Sequence, residues 1–235
     1  MREPTIVAMG GGGFSTGEDE ALDDYVLELT GAERPRVCFL PTASGDSDTY
    51  IVRFYDAFGA DRARAWHLPL FARHHEDVRA LLLNQDVIYV GGGNTANMLA
   101  VWRLHGVDAA LREAWEAGVV LCGLSAGSLC WFEGGVTDSF GPLRALRDGL
   151  GLLPGTHCPH YSSESGRRST YLRLVTEGLP GGLAADDGVA LRFAGTELAE
   201  VLSARDDAHA YRVDPNGSGV DERALQARRI RPKNT

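Results

Sequence analysis

The first 125 residues of the chain alternate short apolar runs with segments in which apolar residues recur at helical spacing. This periodicity is clearest at Leu22, Tyr25 and Val26, which fall at positions i, i+3 and i+4. Largely apolar runs of strand length occupy residues 5–9, 36–40, 87–90 and 119–124, and residues 63–68 read as a further short strand. Strands that alternate with helices form parallel sheets. The pattern therefore predicts an α/β fold with a doubly wound, mostly parallel sheet and helices on both faces.

The pattern changes beyond about residue 180. Short β-like runs follow at residues 190–193, 198–202 and 210–213, separated by turns that contain Gly, Asp and Asn. They predict C-terminal β-hairpins that close one edge of the sheet. Residues 227–235 are basic and polar, which predicts a loose tail. No linker or repeat interrupts the chain, so residues 1–235 are predicted to form a single α/β domain.

Glycine-rich loops follow three of the predicted strands. Glycines occupy residues 10–13 and 91–93, and a Gly-x-Ser-x-Gly motif spans Gly123–Gly127. Ligands of open α/β sheets bind beyond the carboxyl ends of the strands, so these loops are expected to share one edge of the sheet. The first loop lacks the third glycine of the dinucleotide-binding motif, and the carboxylates after it would repel a pyrophosphate. It is therefore predicted to be a tight turn that lines a pocket.

The motif at Gly123–Gly127 has the arrangement of a nucleophile elbow. A buried strand precedes it and a predicted helix follows it, which places Ser125 at the apex of a sharp turn. Glycines on both sides let such a turn close without Cβ clashes. The first free N–H groups of the helix point at the same spot, where an oxyanion would form. Ser125 is therefore predicted to be a catalytic nucleophile.

A serine nucleophile needs a histidine base and a carboxylate that orients the histidine. One hypothesis takes His160 as the base, followed by an acid further along the chain. The α/β-hydrolase order of serine, acid and histidine instead selects His209, with Asp187 or Asp207 as the acid. His157 is a third candidate base. Spacing along the sequence does not decide between these arrangements.

Composition narrows the classes of function. The chain has 235 residues, of which 44% are hydrophobic and 23% charged, as in ordinary globular proteins. Its formal net charge of −9 argues against nucleic acid or an anionic membrane as a partner. Neither the apolar core of a signal peptide nor an apolar run of about 20 residues is found. The four cysteines form no Cys-x-x-Cys pair, so we expect reduced thiols in the cytoplasm and neither disulfides nor a zinc site.

Three motifs together resemble the peptidase E family of serine peptidases, which contains the aspartyl dipeptidases and has the cyanophycinases as relatives. They are Tyr-Val-Gly-Gly-Gly-Asn-Thr at Tyr89–Thr95, Gly-Leu-Ser-Ala-Gly at Gly123–Gly127 and Cys-Pro-His-Tyr at Cys158–Tyr161. The similarity covers about residues 5–192. It implies a fold similar to that of class I glutamine amidotransferases, whose nucleophile is a cysteine on a similar turn.

The resemblance implies roles for individual residues. Ser125 matches the nucleophile of the family. His160, in a Pro-His pair followed by an aromatic residue, matches the general base. Gly93 and Ala126 match the backbone donors of the oxyanion hole. Asp187, an acid followed by glycine downstream of the histidine, matches the third member of a catalytic triad.

The match to the family is looser at the acid of the triad and at the residues expected to bind substrate. Aspartyl dipeptidases have glutamate at the position of Asp187, and its neighbour Asp186 and the upstream Asp138 are rival acids. Asp138 matches an acid that follows the serine motif in family members, and it is also expected to bind substrate, as is Asn94. Arg168 matches an arginine that meets an acidic side chain in the first residue of the substrate.

Together the residues and the resemblance predict a cytoplasmic serine exopeptidase that cleaves short peptides through an acyl-enzyme, with a preference for N-terminal aspartate. No metal or organic cofactor, nucleic acid or membrane is expected, and homodimer formation is a further expectation. Two alternatives stay open. One is an α/β-hydrolase-type esterase that uses His209, and the other is a non-catalytic binding domain that keeps the serine turn as a scaffold.

Overall fold

The computed structural model describes residues 2–72, 75–217 and 219–232, and an eight-stranded sheet forms its centre. The strands of this main sheet are β1 (Thr5–Met9), β2 (Arg36–Leu40), β3 (Arg64–His67), β4 (Val87–Val90), β5 (Val120–Leu124), β10 (Val189–Ala194), β11 (Glu197–Ser203) and β14 (Arg228–Arg229). Their order is β14-β11-β10-β1-β5-β4-β2-β3, and β1 to β5 run parallel. The doubly wound sheet that the hydrophobic pattern predicts is confirmed.

Helices cover both faces of the main sheet. The helices of the described residues are α1 (Glu20–Glu28), α2 (Asp48–Ala57), α3 (Val78–Leu83), α4 (Thr95–His105), α5 (Val107–Glu116), α6 (Ala126–Leu129) and α7 (Arg167–Thr176), of which α7 packs on strands outside the main sheet. Apolar residues of α1 and α2 pack on one face, and those of α3, α4 and α5 pack on the other. In the part of the chain that the structure describes, no helix is both long and apolar enough to cross a bilayer.

An aromatic cluster fills the space between the main sheet and the first two helices. Phe14, from the glycine loop after β1, meets Phe39 edge to face with 5.3 Å between ring centroids. Phe39 stacks on Phe54 of α2 at 4.8 Å, and Phe58 follows directly after that helix. All four rings are buried. Because burial of a Phe side chain stabilises a fold by about 1.5–3 kcal/mol, this cluster holds the glycine loop onto the sheet.

A second sheet, which the hydrophobic pattern does not predict, contains six strands. They are β6 (Phe132–Thr137), β7 (Arg144–Leu146), β8 (Leu153–Cys158), β9 (Gly182–Ala185), β12 (Ala210–Asn216) and β13 (Gly219–Leu225), in the order β13-β12-β9-β8-β6-β7. Several of these strands contain glycines, which disfavour strands in isolation. A Cβ at Gly135 would lie 1.9 Å from the His157 carbonyl oxygen, and one at Gly182 would lie 1.9 Å from that of Thr156. Neighbouring strands approach so closely at these positions that only glycine fits, and these glycines interrupt the hydrophobic pattern by which a strand is recognised.

The C-terminal hairpins divide between the two sheets. β10 pairs antiparallel with β1 and with β11, which closes one edge of the main sheet as predicted. β12 and β13 form another hairpin, but β9 joins it to the second sheet. The prediction of a loose tail is wrong at its start: Arg228–Arg229 pairs with β11, and the N–H of Ile230 donates to the Ser203 carbonyl. Residues 233–235 lie outside the described residues.

A buried carboxylate lies beneath the glycine loop. Asp23 of α1 is 1% exposed, and the Tyr89 hydroxyl donates to its Oδ1 at 2.9 Å. Among the described residues, its Oδ2 has no hydrogen-bond partner. Burial raises the pKa of Asp23 to about 7, and the hydrogen bond from Tyr89 offsets part of that effect. The carboxyl group is therefore expected to change its charge near neutral pH in the folded protein.

Asp23 is expected to make the protein less stable as the pH rises from about 4 to about 7. Its ordinary pKa is 3.8, so within this window the folded state holds a proton that the unfolded state has lost. The shift corresponds to at most about 4 kcal/mol of unfolding free energy. The free energy of unfolding, measured by urea denaturation at both ends of this pH window, should fall less for Asp23→Asn than for the wild type. The neighbouring variant Asp24→Asn is the control and should behave like the wild type. Equal losses in all three proteins would contradict this assignment.

Candidate active site

The residues between β5 and α6 form a sharp turn with Ser125 at its apex. Ser125 has φ 55° and ψ −118°, a strained conformation of the kind that costs about 1–3 kcal/mol. The flanking glycines are required: a Cβ at Gly123 would lie 2.3 Å from the Gly127 carbonyl oxygen, and one at Gly127 would lie 2.3 Å from that of Val90. The structure thus contains the strand, turn and helix in the order that the sequence indicates.

Two backbone N–H groups near Ser125 are free to bind an oxygen atom. Ala126 begins α6, and Gly93 lies in the loop after β4. Among the described residues, neither N–H has a hydrogen-bond acceptor. Gly92 brings its loop against the serine, since a Cβ there would lie 3.3 Å from Ser125 Cβ and 3.7 Å from its Oγ. Unpaired backbone N–H groups are the donors that stabilise an oxyanion in serine hydrolases.

His160 and Asp187 form a hydrogen-bonded pair. The distance between His160 Nδ1 and Asp187 Oδ1 is 2.5 Å, and the side chains are 17% and 27% exposed. A carboxylate only accepts, so His160 donates through Nδ1 and its Nε2 is left to take up a proton. Burial alone would raise the pKa of Asp187, but the hydrogen bond and charge of His160 lower it below its ordinary value. This pair has the arrangement of a general base with a fixed tautomer.

The end of β1 connects the serine to this pair. The carbonyl of Met9 accepts from the N–H of Ser125 at 3.2 Å. The carbonyl of the next residue, Gly10, accepts from the N–H of His160, also at 3.2 Å. Within the described residues no hydrogen bond joins the Ser125 hydroxyl to His160. Contacts of this kind tighten in many enzymes when substrate binds.

The glycines after β1 are required by the side chains around them. A Cβ at Gly11 would lie 2.1 Å from Asp187 Oδ1 and 2.6 Å from His160 Cε1. A Cβ at Gly12 would lie 2.1 Å from Asp19 Oδ2. The loop therefore lies against the histidine–aspartate pair as a tight turn, with carboxylates packed on two sides of it.

The other candidate bases and acids make different contacts. His157 is fully buried, with its Nδ1 3.1 Å from the Leu183 carbonyl oxygen. Asp186 accepts from backbone N–H groups through both of its oxygens, each at 2.9 Å. His209 and Asp207 are exposed. The geometry therefore favours the chain order serine, histidine, acid, and not the α/β-hydrolase order of serine, acid, histidine.

Asn94, predicted to contact substrate, caps α4. Its Oδ1 accepts from the N–H of Asn97, and its Nδ2 donates to the Ser139 carbonyl, each at 2.9 Å. The second bond ties the segment after Asp138 to the start of α4. These contacts give Asn94 a structural role, and its role in substrate binding stays a prediction.

Arg168, the predicted reader of an acidic substrate, already has a carboxylate partner. Its guanidinium donates to both oxygens of Glu222, with 2.5 Å between Nη2 and Oε2. The Tyr161 hydroxyl donates to the same carboxylate. The Arg168 side chain is 56% exposed, so it remains accessible to solvent. An acidic substrate side chain would therefore have to compete with Glu222.

Sequence reasoning missed two charged residues beside the predicted base. Arg167 is 5% exposed, with its Nε 2.5 Å from Glu164 Oε2 and its Nη2 3.5 Å from Asp138 Oδ2. Glu164 Oε1 lies 4.0 Å from His160 Nε2. The ion-pair cluster thus extends from the predicted base to the predicted substrate-binding Asp138. Positions 160, 164 and 167 follow helical spacing, which is the sequence signal that points to their proximity.

Comparison with known proteins identifies the family. The model of peptidase family S51 matches residues 6–201. The chain belongs to peptidase family S51. Over 210 residues it is 52% identical to the uncharacterized peptidase YgaJ of Bacillus subtilis (strain 168), an alignment that covers 88% of this chain and 91% of that protein. Membership of family S51 confirms the resemblance to peptidase E and makes the protein a serine peptidase by family.

Two solved structures share the fold. A peptidase from an acI-B1 Actinobacterium superposes with a TM-score of 0.66 at 18% identity, over 96% of this chain and 95% of that one. A putative peptidase E protein from Listeria monocytogenes EGD-e gives a TM-score of 0.65 at 20% identity, over 86% of this chain and 100% of that one. At such identities the likeness shows the fold alone, and it agrees with the α/β architecture described above.

Proposed function

We propose that this family S51 protein is a cytoplasmic serine exopeptidase that cleaves short peptides through an acyl-enzyme. The observation that carries the proposal is the anchorage of Ser125 and His160 on adjacent carbonyls of β1, with Asp187 bonded to the histidine. The unpaired N–H groups of Gly93 and Ala126 support the same chemistry. The four cysteines are free and buried, which supports a reducing compartment.

In the proposed reaction, Ser125 Oγ attacks the carbonyl carbon of the scissile peptide bond while His160 Nε2 takes the hydroxyl proton. The N–H groups of Gly93 and Ala126 stabilise the oxyanion. The C–N bond then breaks, His160 passes its proton to the departing amine, and the acyl group stays on the serine as an ester. Water attacks this ester with His160 again as the base, which releases the acid and restores the serine. Asp187 keeps the histidine tautomer and stabilises the imidazolium.

Asp187→Asn is expected to lower kcat by as much as about 10⁴-fold, because an amide at this position favours the wrong histidine tautomer. Asp138→Asn is the comparison variant. Asp138 is 58% exposed and pairs with Arg167, so its loss is expected to raise KM more than it lowers kcat. Steady-state hydrolysis of a dipeptide measures both effects. Full activity of Asp187→Asn, together with a large loss of kcat in Asp138→Asn, would show that the acid has been wrongly assigned.

A preference for N-terminal aspartate is the finer part of the proposal. A guanidinium binds a carboxylate through two parallel hydrogen bonds, and Arg168 already binds Glu222 in this way. An aspartyl side chain of the substrate would take the place of Glu222. Arg168 is exposed enough for this exchange, and it lies at the start of α7, eight positions after His160.

The wild type is expected to hydrolyse Asp-Leu with a higher kcat/KM than Ala-Leu or Met-Leu. Arg168→Ala should reduce this preference by about 10-fold or more, the effect of losing a charged hydrogen bond, while hydrolysis of the neutral peptides survives. Arg173→Ala is the matched control, because Arg173 lies on the same helix and pairs with Glu177. A wild type that prefers the neutral peptides would rule out the aspartyl preference and leave the serine-peptidase chemistry standing.

A further inference from the structure

A buried histidine that the proposed reaction does not use links the two sheets behind the Ser125 turn. His157 lies in β8 of the second sheet, and its Nε2 is 3.1 Å from the hydroxyl oxygen of Ser128 in α6. Both side chains are fully buried. On the other side of the ring, Nδ1 is 3.1 Å from the Leu183 carbonyl oxygen. Phe132 stacks on the imidazole with 4.8 Å between centroids, so the ring has one fixed orientation.

Each proton in the contacts that His157 makes with Leu183 and Ser128 can be assigned to one atom. Burial lowers the pKa of His157 to about 3, so the ring is neutral and carries one proton. A carbonyl only accepts, so that proton is on Nδ1 and points at Leu183. Nε2 is then an acceptor, and the Ser128 hydroxyl must donate to it. The Ser125 carbonyl, 2.8 Å from that hydroxyl, already accepts from the N–H groups of Ser128 and Leu129.

The bond between His157 and Ser128 joins the two segments that carry the reacting groups. Ser128 comes three residues after Ser125, and His157 comes three residues before His160. Ser125 directly follows β5 of the main sheet, and His160 lies just after β8 of the second sheet. Ser125 and His160 both have positive φ, at 55° and 54°, so each depends on its surroundings to keep its conformation.

We infer that His157 is a positioning residue which, through Ser128, sets the distance between the Ser125 hydroxyl and His160. The inference rests on the proposed serine-peptidase function. Loss of the bond would let the first turn of α6 shift relative to β8. A shift of about 1 Å between reacting groups can cost about 100-fold in rate. Binding of substrate does not require this bond, so the loss should appear in kcat and not in KM.

The test compares Ser128→Ala and His157→Phe with the wild type. Phenylalanine keeps the ring that stacks on Phe132 but cannot accept from Ser128. Each variant is expected to lower kcat for a dipeptide, and the rate of acylation by a fluorophosphonate, by about 10- to 100-fold with KM changed by less than about threefold. The double variant should be no slower than His157→Phe alone. Ser128→Cys keeps a weak hydrogen-bond donor and should lose less kcat than Ser128→Ala. It replaces Ser128→Ala in the comparison if that variant does not fold.

Thr156→Val is the matched control, because it removes other buried hydrogen bonds of β8, those of the Thr156 hydroxyl with the Tyr171 hydroxyl at 2.7 Å and to the Pro180 carbonyl at 2.8 Å. It should lower the urea midpoint as Ser128→Ala does but keep the wild-type kcat.

Three outcomes would overturn the inference. Wild-type kcat in both Ser128→Ala and His157→Phe would show that the bond is merely structural. So would a loss of kcat in Thr156→Val as large as theirs. A wild type that neither reacts with the fluorophosphonate nor hydrolyses peptides would instead defeat the proposed function, and the inference with it.

Discussion

Ser125→Ala is expected to abolish peptide hydrolysis and leave the fold intact. Alanine at φ 55° carries the same backbone strain as serine, and the Ser125 side chain accepts no hydrogen bond that caps α6, so little stability depends on the hydroxyl. The chemistry, however, has no other nucleophile in its place. Removal of a triad serine typically costs on the order of 10⁶ in kcat.

Dipeptide turnover by purified Ser125→Ala measures this loss, and its urea midpoint shows whether the protein is folded. Ser169→Ala is the matched control, because Ser169 is an exposed serine of α7 whose hydroxyl donates to the Gly166 carbonyl at the start of its own helix. It should retain wild-type turnover. Near wild-type turnover in Ser125→Ala would remove the basis of the serine-peptidase mechanism for this chain.

His160→Ala is expected to abolish turnover to a similar extent, while His209→Ala retains most of it. His160 is bonded to Asp187, whereas His209 is exposed and its ring centroid lies 6.3 Å from that of Tyr211. Loss of a triad base typically costs as much as loss of the serine, on the order of 10⁶ in kcat.

Initial rates on the same dipeptide compare these two histidine variants. The reverse outcome, with turnover lost in His209→Ala and kept in His160→Ala, would favour the α/β-hydrolase-type esterase. Retention of full turnover in both variants would show that neither histidine is the base.

The central strands of the main sheet could be predicted because they are continuous apolar runs. Residues of β1, β2 and β4 are buried on both sides, and such strands need no alternation to be recognised. The second sheet could not be predicted in this way. Its strand β6 contains Gly134 and Gly135, which are required by the close approach of the Leu146 and His157 carbonyls. That requirement comes from partners distant in the sequence, so a local window does not contain it.

The same distinction holds for the candidate site: features that are local in the sequence could be predicted from the pattern of residues, and contacts between distant residues could not. The turn at Ser125 is visible in the sequence because its glycines are local to it. The pairing of His160 with Asp187 joins the loops after two different strands, and the resemblance to peptidase E predicted it where spacing left it open. Burial of Arg167 was not visible, because the carboxylate of Asp138 that reaches it comes from a distant segment.

The central claim is that Ser125 forms a covalent acyl-enzyme, and covalent labelling tests it most directly. Wild-type protein would be treated with a fluorophosphonate, digested and mapped by mass spectrometry, with Ser125→Ala treated in parallel. We expect one stoichiometric adduct on Ser125, which is absent from the variant. Folded wild-type protein that takes up no label, or carries it on another residue with Ser125 unmodified, would contradict the account.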